Sequence, residues 1–307
     1  MTFTIRGGER MAESPQFEPD ADRPDTLPTT PAMEMLEAAV ERIGPVRVRH
    51  AGRSAFVHLR KSWTLHPIDS EMSFFRALTA VEEASSALIL ALKQQRYPGA
   101  DRLNANDHVH KAAIWPIIEA IARGYSNKGI PLPRIAISAK QRPRVRIDLD
   151  LGPCIGLDRS FWVHSPDPFH LVIRTDETGP FELHRWQREL TQVAGGSEDV
   201  LEHIRRAANL RNVVLYAGPQ GVPSVRFEDN EILKRLEYVK WIMVATIGIL
   251  QTKTIQYLVV QALETLLLTL NRFDGNFYSF PADGPPQERH LSIVQQPDGS
   301  VVTRVFK

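Results

Sequence analysis

Residues 197–218 read SEDVLEHIRRAANLRNVVLYAG, and the period of this stretch decides the fold. An apolar stripe runs Val200, Ile204, Ala207, position 211, then Val214 and Leu215. That is the spacing of one face of an α-helix. Gly218 and Pro219 follow as a left-handed cap and a stop. Position 211 on this stripe is an arginine, followed at once by Asn212. A guanidinium enters an apolar face only when something pairs with it or when it does chemistry.

Outward from this helix the chain alternates between helical and strand-like segments. Residues 1–31 are rich in Pro, Asp and Glu and have no apolar run, so a disordered tail is expected. Residues 32–125 read as the N-terminal helical part of a bundle. AMEMLEAAVERI is a short helix, and PVRVRHAGRSAFVHLRKSWTLH is basic and of undecided type. From Asp69 a long helix places Phe75, Leu78, Glu82, Ser85, Ile89 and Leu92 on one face, with Glu83, Arg76, Thr79 and Ser86 opposite. NDHVHKAAIWPIIEAIARGY is a further helix entered through Asn106 or Asp107, and Pro116 kinks or divides it. Residues 126–183 change character: RIAISAK, RVRIDLDL, FWVHS and FHLVIRT are strand-like runs between turns, a β-rich insertion. Helices resume over 184–273. Residues 274–307 are a loop and a hairpin, with Pro-Asp-Gly between two alternating runs. The expected fold is mainly α: a helical bundle with an inserted β-rich module and a C-terminal β-hairpin.

Composition excludes little by itself. The chain has 307 residues, 43% apolar and 24% charged, with a net charge of +1. There is thus no global pull toward nucleic acid or membrane, and any such partner must meet a local patch. The single cysteine, Cys154, rules out an internal disulfide and fits a reducing cytoplasm. The most hydrophobic region, residues 238–270, is broken by QTKT, Gln261 and Glu264, so it reads as buried helices and no membrane contact is expected.

Three polar side chains fall on apolar helical stripes: Arg211, Glu82, and His110, which shares a face with Ile114, Ile117 and Ile121. They could converge into a site. Equally, Glu82 and Arg211 could form a structural ion pair with His110 hydrogen-bonded in the core.

RNVVLY resembles the R-N-x-x-x-H motif of HEPN domains, with Arg211 and Asn212 matching and Tyr216 in the histidine place. The order Glu82-Glu83, His110-Lys111, then Arg211 before Leu215-Tyr216 is similar to the AbiV group of that superfamily, linked to abortive infection against phage. The likeness covers roughly residues 70–125 and 184–273. It implies a phage-defence protein and a candidate metal-independent endoribonuclease, needing neither cofactor nor metal. It also implies RNA as a partner, a homodimer that builds one site from two such helices, and a phage or host protein as trigger.

The implied site residues are Arg211, Asn212, Tyr216, Glu82 and His110. Arginine suits the phosphate because its planar fork binds it bidentately and stays charged. Glu82 would position Arg211. Tyr216 can donate a hydrogen bond, but its reference pKa near ~10 makes it a poor base. His110 or His108 would then take the proton. Arg211 and Tyr216 lie about 140° apart on a continuous helix, so they converge only at a helix end or across two protomers.

Beyond the bundle, Lys140, Arg142, Arg144 and Arg146 line a strand-turn-strand with no acid among them, a candidate RNA-backbone contact or a solvated face. His108 and His110 are two apart and point away from each other on a helix, so they make a poor metal pair. The alternative function is a catalytically inactive HEPN-like binding or sensor module, with Arg211 and Glu82 structural.

Overall fold

The computed structural model describes residues 2–5, 24–127, 134–138, 143–150, 152, 158–164, 167–170, 172–174, 186–196, 199–215, 228–271, 291–295 and 301–305. It is mainly helical. Helix α1 (Pro31–Ile43) starts at Thr30, whose side chain accepts a hydrogen bond from the Met33 N–H, with Pro31 in the first turn. The basic stretch of undecided type is a helix, α2 (Val46–Leu65). Its Arg, Lys and His side chains hide an inward face of Val48, Ala51, Gly52, Ala55, Leu59 and Trp63.

Helix α3 (Ser70–Gln94), capped by Asp69, returns against α2. Its deepest face is not the Phe75–Leu78 stripe. Ala77, Ala80, Ala84, Ala87 and Ala91 are wholly buried, while Phe75 and Leu78 are half-buried. Alanines on this face leave room for α2 to pack closely on α3, which bulky residues would prevent. Near the turn the Ser62 hydroxyl donates to the Ser73 carbonyl and the Ser73 hydroxyl to the Ser62 carbonyl, at 2.8 and 2.7 Å. Ser86, expected on the polar face, is buried and donates to the Glu82 and Ala105 carbonyls.

Asp107 caps α4 (His108–Ala112), accepting from the Val109 and His110 N–H groups. Helix α5 (Ile114–Asn127) follows after a break at Ala113. Pro116 explains the break. It lacks the N–H that would bond the Ala112 carbonyl, and its ring clashes with that carbonyl. In α5, Gly124 lies against the Trp186 indole, where an added Cβ would sit 2.3 Å from the ring. Trp186 leads into α6 (Gln187–Val193), docked on α5.

The strand-rich stretch is shared between two sheets, and the chain ends complete both. Strands β1 (Thr2–Ile5), β2 (Arg134–Ser138), β3 (Arg144–Asp150) and β4 (Trp162–His164) form an antiparallel sheet in that order. Strand β5 (Val172–Arg174) pairs in parallel with β6 (Leu291–Gln295), which pairs antiparallel with β7 (Val301–Val305), the expected hairpin.

The tail expected to be disordered therefore contributes a strand: Thr-Phe-Thr-Ile is a β-forming run that covers the open edge of β2. Farther along the same tail Leu27 is buried, and the Pro24 carbonyl accepts from Trp63 Nε1 at 2.9 Å. Ile135, Ile137, Val145, Ile147 and Leu149 fill one face of the first sheet, against the helices.

Helix α7 (Val200–Leu215) opens at Asp199, which accepts from the Glu202 N–H, and it contacts α3 and α4. Helix α8 (Asp229–Leu250) and α9 (Tyr257–Thr269) split the most hydrophobic region. Among the described residues no helix is long and apolar enough to cross a membrane.

Gln256, wholly buried, ties the joint. It accepts from the Phe169 N–H at 2.7 Å and donates to the Gly248 carbonyl at 3.0 Å. Gln256→Ala strands both backbone groups, and an expected loss of about 2 kcal/mol of stability is measurable by urea denaturation.

Candidate functional site

The break before α5 lets α4 set its own direction, and one face of α4 meets α3 and α7. Glu82 of α3, nine-tenths buried, lies at the centre. Its Oε1 is 2.8 Å from His108 Nδ1. Its Oε2 is 3.4 Å from Lys111 Nζ and 3.4 Å from Arg211 Nη1. Arg211 Nη2 in turn is 3.3 Å from His108 Nε2. The guanidinium lies over Phe75, 5.7 Å from the ring centre. The two sequence candidates Glu82 and Arg211, 129 residues apart in the chain, are thus brought together.

The bonds assign the state of His108. A carboxylate only accepts, so Nδ1 carries the proton toward Glu82. A guanidinium only donates, so Nε2 faces Arg211 with its lone pair. The neutral imidazole with Nδ1–H satisfies both. Its side chain remains 42% exposed, so Nε2 lies at a surface that solvent or a substrate can reach. Lys111 is buried, with its stem in the core and its ammonium on Glu82. Two fixed cations share one carboxylate, and the surplus positive charge suits an anion such as phosphate.

His110 is buried, as the apolar face predicts, but it does not join this cluster. Its Nδ1 accepts from the Asn104 N–H at 2.9 Å, and its Nε2 is 3.9 Å from Asp107. It holds the turn that enters α4. His110→Ala is expected to cost about 1–3 kcal/mol of stability, as a backbone donor loses its acceptor. His108→Ala, at a half-exposed position, is expected to cost under about 1 kcal/mol. Thermal unfolding of the two variants side by side separates the roles.

Asn212 is exposed and donates to Asn209 Oδ1 at 3.0 Å, making no bond to Glu82, His108 or Lys111. Tyr216, Lys140, Arg142 and Cys154 lie outside the described residues. Arg144 and Arg146 are exposed on β3, and Arg146 is bonded to Asp148 at 2.7 Å. Ala207, read as part of the inward stripe of α7, is exposed, whereas Ile204 and Val214 are buried. No family model, curated protein or solved structure matches this chain. Among the described residues no group of three or more His, Cys, Asp or Glu side chains could hold a metal ion.

The apolar stripe puts the weight on His110, because it carries one helical register through Ile114 and Ile117 despite the division expected at Pro116. The signal for the other face was present: His108 and Lys111 are three apart, hence neighbours on a helix surface.

Proposed function

We propose that this chain is a HEPN-like, metal-independent endoribonuclease of the abortive-infection type, acting on RNA in the cytoplasm as a homodimer released by a phage or host protein trigger. The observation that carries the reading is the imidazole of His108, oriented by Glu82 and set against Arg211. In this reading an RNA phosphate draws Arg211, which leaves His108 Nε2 free, while Lys111 stays on Glu82. That nitrogen takes the proton of a ribose 2′-OH. The 2′-oxygen bonds to the adjacent phosphorus, the bond from phosphorus to the 5′-oxygen breaks, and the 5′-oxygen takes a proton from a water, whose hydroxide recovers the proton held on His108 Nε2. Arg211 meets the charge that grows on the phosphoryl oxygens. His108, one of the two histidines considered for the base, thus takes the role of the motif's histidine, whose place Tyr216 occupies.

The exposed face of α7 supports the homodimer. Val213 is exposed on it by 48%. The test is cleavage of total RNA in EDTA by the purified chain beside Arg211→Ala. A loss of about 100-fold or more in rate is expected, the scale for removing a preorganised charge on a transition state.

A second reading, an inactive binding or sensor module, is favoured by one feature: Glu82 accepts from three neighbours and closes the cluster on itself. That reading expects RNA retention on a filter without cleavage, and no difference between the chain and Arg211→Ala in an RNase assay.

A further inference from the structure

The outward face of the first sheet brings cations and an aromatic ring together. Ile135, Ile137, Val145, Ile147 and Leu149 point at the helices. Alternation along β2 and β3 therefore sends Arg134, Arg144, Arg146, Asp148 and Asp150 to the other face. On β4, Val163 packs against the core, which turns Trp162 outward. The register sets Arg134 opposite Asp148, and Asp150 opposite Trp162. Arg134 reaches across β3, and its guanidinium lies 3.7 Å from the centre of the Trp162 ring. That contact fixes the ring by cation–π attraction and covers one of its sides.

The charge this face offers to solvent is positive. Arg146 is bonded to Asp148 at 2.7 Å, and Asp150 accepts from the Gly152 and Phe161 N–H groups at 3.0 and 2.9 Å. Both acids are buried. Arg144 is exposed and has no ion pair among the described residues. Between β2 and β3 the sequence adds Lys140 and Arg142 and no acid. Exposed Asp158 and Arg159, just before Phe161, offset each other. Among the described residues the only exposed Phe, Tyr or Trp side chains are the adjacent Phe161 and Trp162. Cations beside an open ring suit a polyanion that carries flat bases. A peptide carboxylate would use the arginines and leave the ring idle.

We infer that this face binds single-stranded RNA, with a nucleobase stacked on the open side of Trp162 and the neighbouring phosphate on Arg144. A duplex keeps its bases stacked on one another, whereas a single strand offers them to a ring. The choice of RNA rests on the ribonuclease reading. The face itself uses no residue of the Glu82 cluster.

The probe is a fluorescein-labelled single strand of about ten 2′-O-methyl nucleotides, within the length one such surface spans. It has no free 2′-OH, so fluorescence anisotropy reads binding to the full chain whether or not the chain cuts RNA. Saturable binding is expected, weakening as salt rises from about 50 to about 200 mM. Trp162→Ala should weaken it about 5- to 100-fold, the scale of one stacked base, and Trp162→Phe much less. Arg144→Ala should lower the slope of log affinity against log salt by about 0.7, the value for one single-strand phosphate contact. An unchanged melting temperature checks the fold of each variant. Binding of this kind by a chain that cuts no RNA would uphold the face and count against the ribonuclease reading alone. No saturable binding at low salt, equal affinity for a duplex, or displacement by poly-glutamate at equal charge would overturn the inference. So would binding indifferent to Trp162→Ala or to Arg144→Ala, since the affinity would then belong elsewhere on the chain.

Discussion

Glu82→Gln is expected to lower stability by about 3–5 kcal/mol, the cost of removing one partner from a buried pair. The reason lies in Lys111, whose side chain is 7% exposed and whose ammonium meets Glu82. Arg211, at 28% exposure, can turn to water when the carboxylate goes. Lys111 cannot, because its stem is held in the core. Glutamine keeps the volume and leaves the ammonium uncompensated. A second substitution, Lys111→Met, is expected to restore more than half of the loss, since a buried ion pair replaced by apolar groups of similar size is often neutral. Urea denaturation of the two single variants and the double variant measures this. A single-variant loss below about 1 kcal/mol would mean that the cluster is solvated and that Glu82 does not anchor it.

The second large effect concerns Glu264 on α9. It is 2% exposed, and neither carboxylate oxygen has a hydrogen-bond partner among the described residues. Burial pushes its carboxyl up to about 7 from an ordinary 4.5. Below pH 4.5 the group is protonated in both the folded and unfolded chain, and its contribution does not vary. Between 4.5 and 7 the unfolded chain releases the proton while the folded chain keeps it, so stability falls as pH rises. Above 7 the loss is complete. At roughly 1.4 kcal/mol per pH unit of displacement, the fall from pH 4.5 to 8 is about 3 kcal/mol. Glu264→Gln stays neutral throughout. It is expected to remove this slope and to stabilise the protein at pH 8 by a similar amount. A flat profile for the unsubstituted chain would show that Glu264 finds a partner or water in solution.

Helical period carried the sequence reading far where a helix has one apolar face and clear ends. Asp69, Asp107 and the α8–α9 break were legible because caps and polar interruptions are local signals. Glu82 and Arg211 were legible as a pair because each interrupts an apolar stripe. The alanine face of α3 was not, since small residues register weakly against Phe75 and Leu78, yet close helix approach needs them. Helix α2 was obscured by basic side chains that cover its surface. The strand at Thr2–Ile5 was hidden because its partner, β2, lies more than a hundred residues along the chain. His108 stood below His110 because only His110 falls on the stripe of Ile114 and Ile117, and the stripe does not show which side chains meet α3 and α7.

The measurement that tests the central claim most directly is cleavage of a defined single-stranded RNA in EDTA by the chain and by His108→Ala of matched folding, with analysis of the fragment ends. The account expects 2′,3′-cyclic phosphate ends from the chain and a rate lower by roughly 100- to 10,000-fold in the variant, the range for loss of a general base. Equal rates for the two proteins, or no cleavage by either, would contradict it.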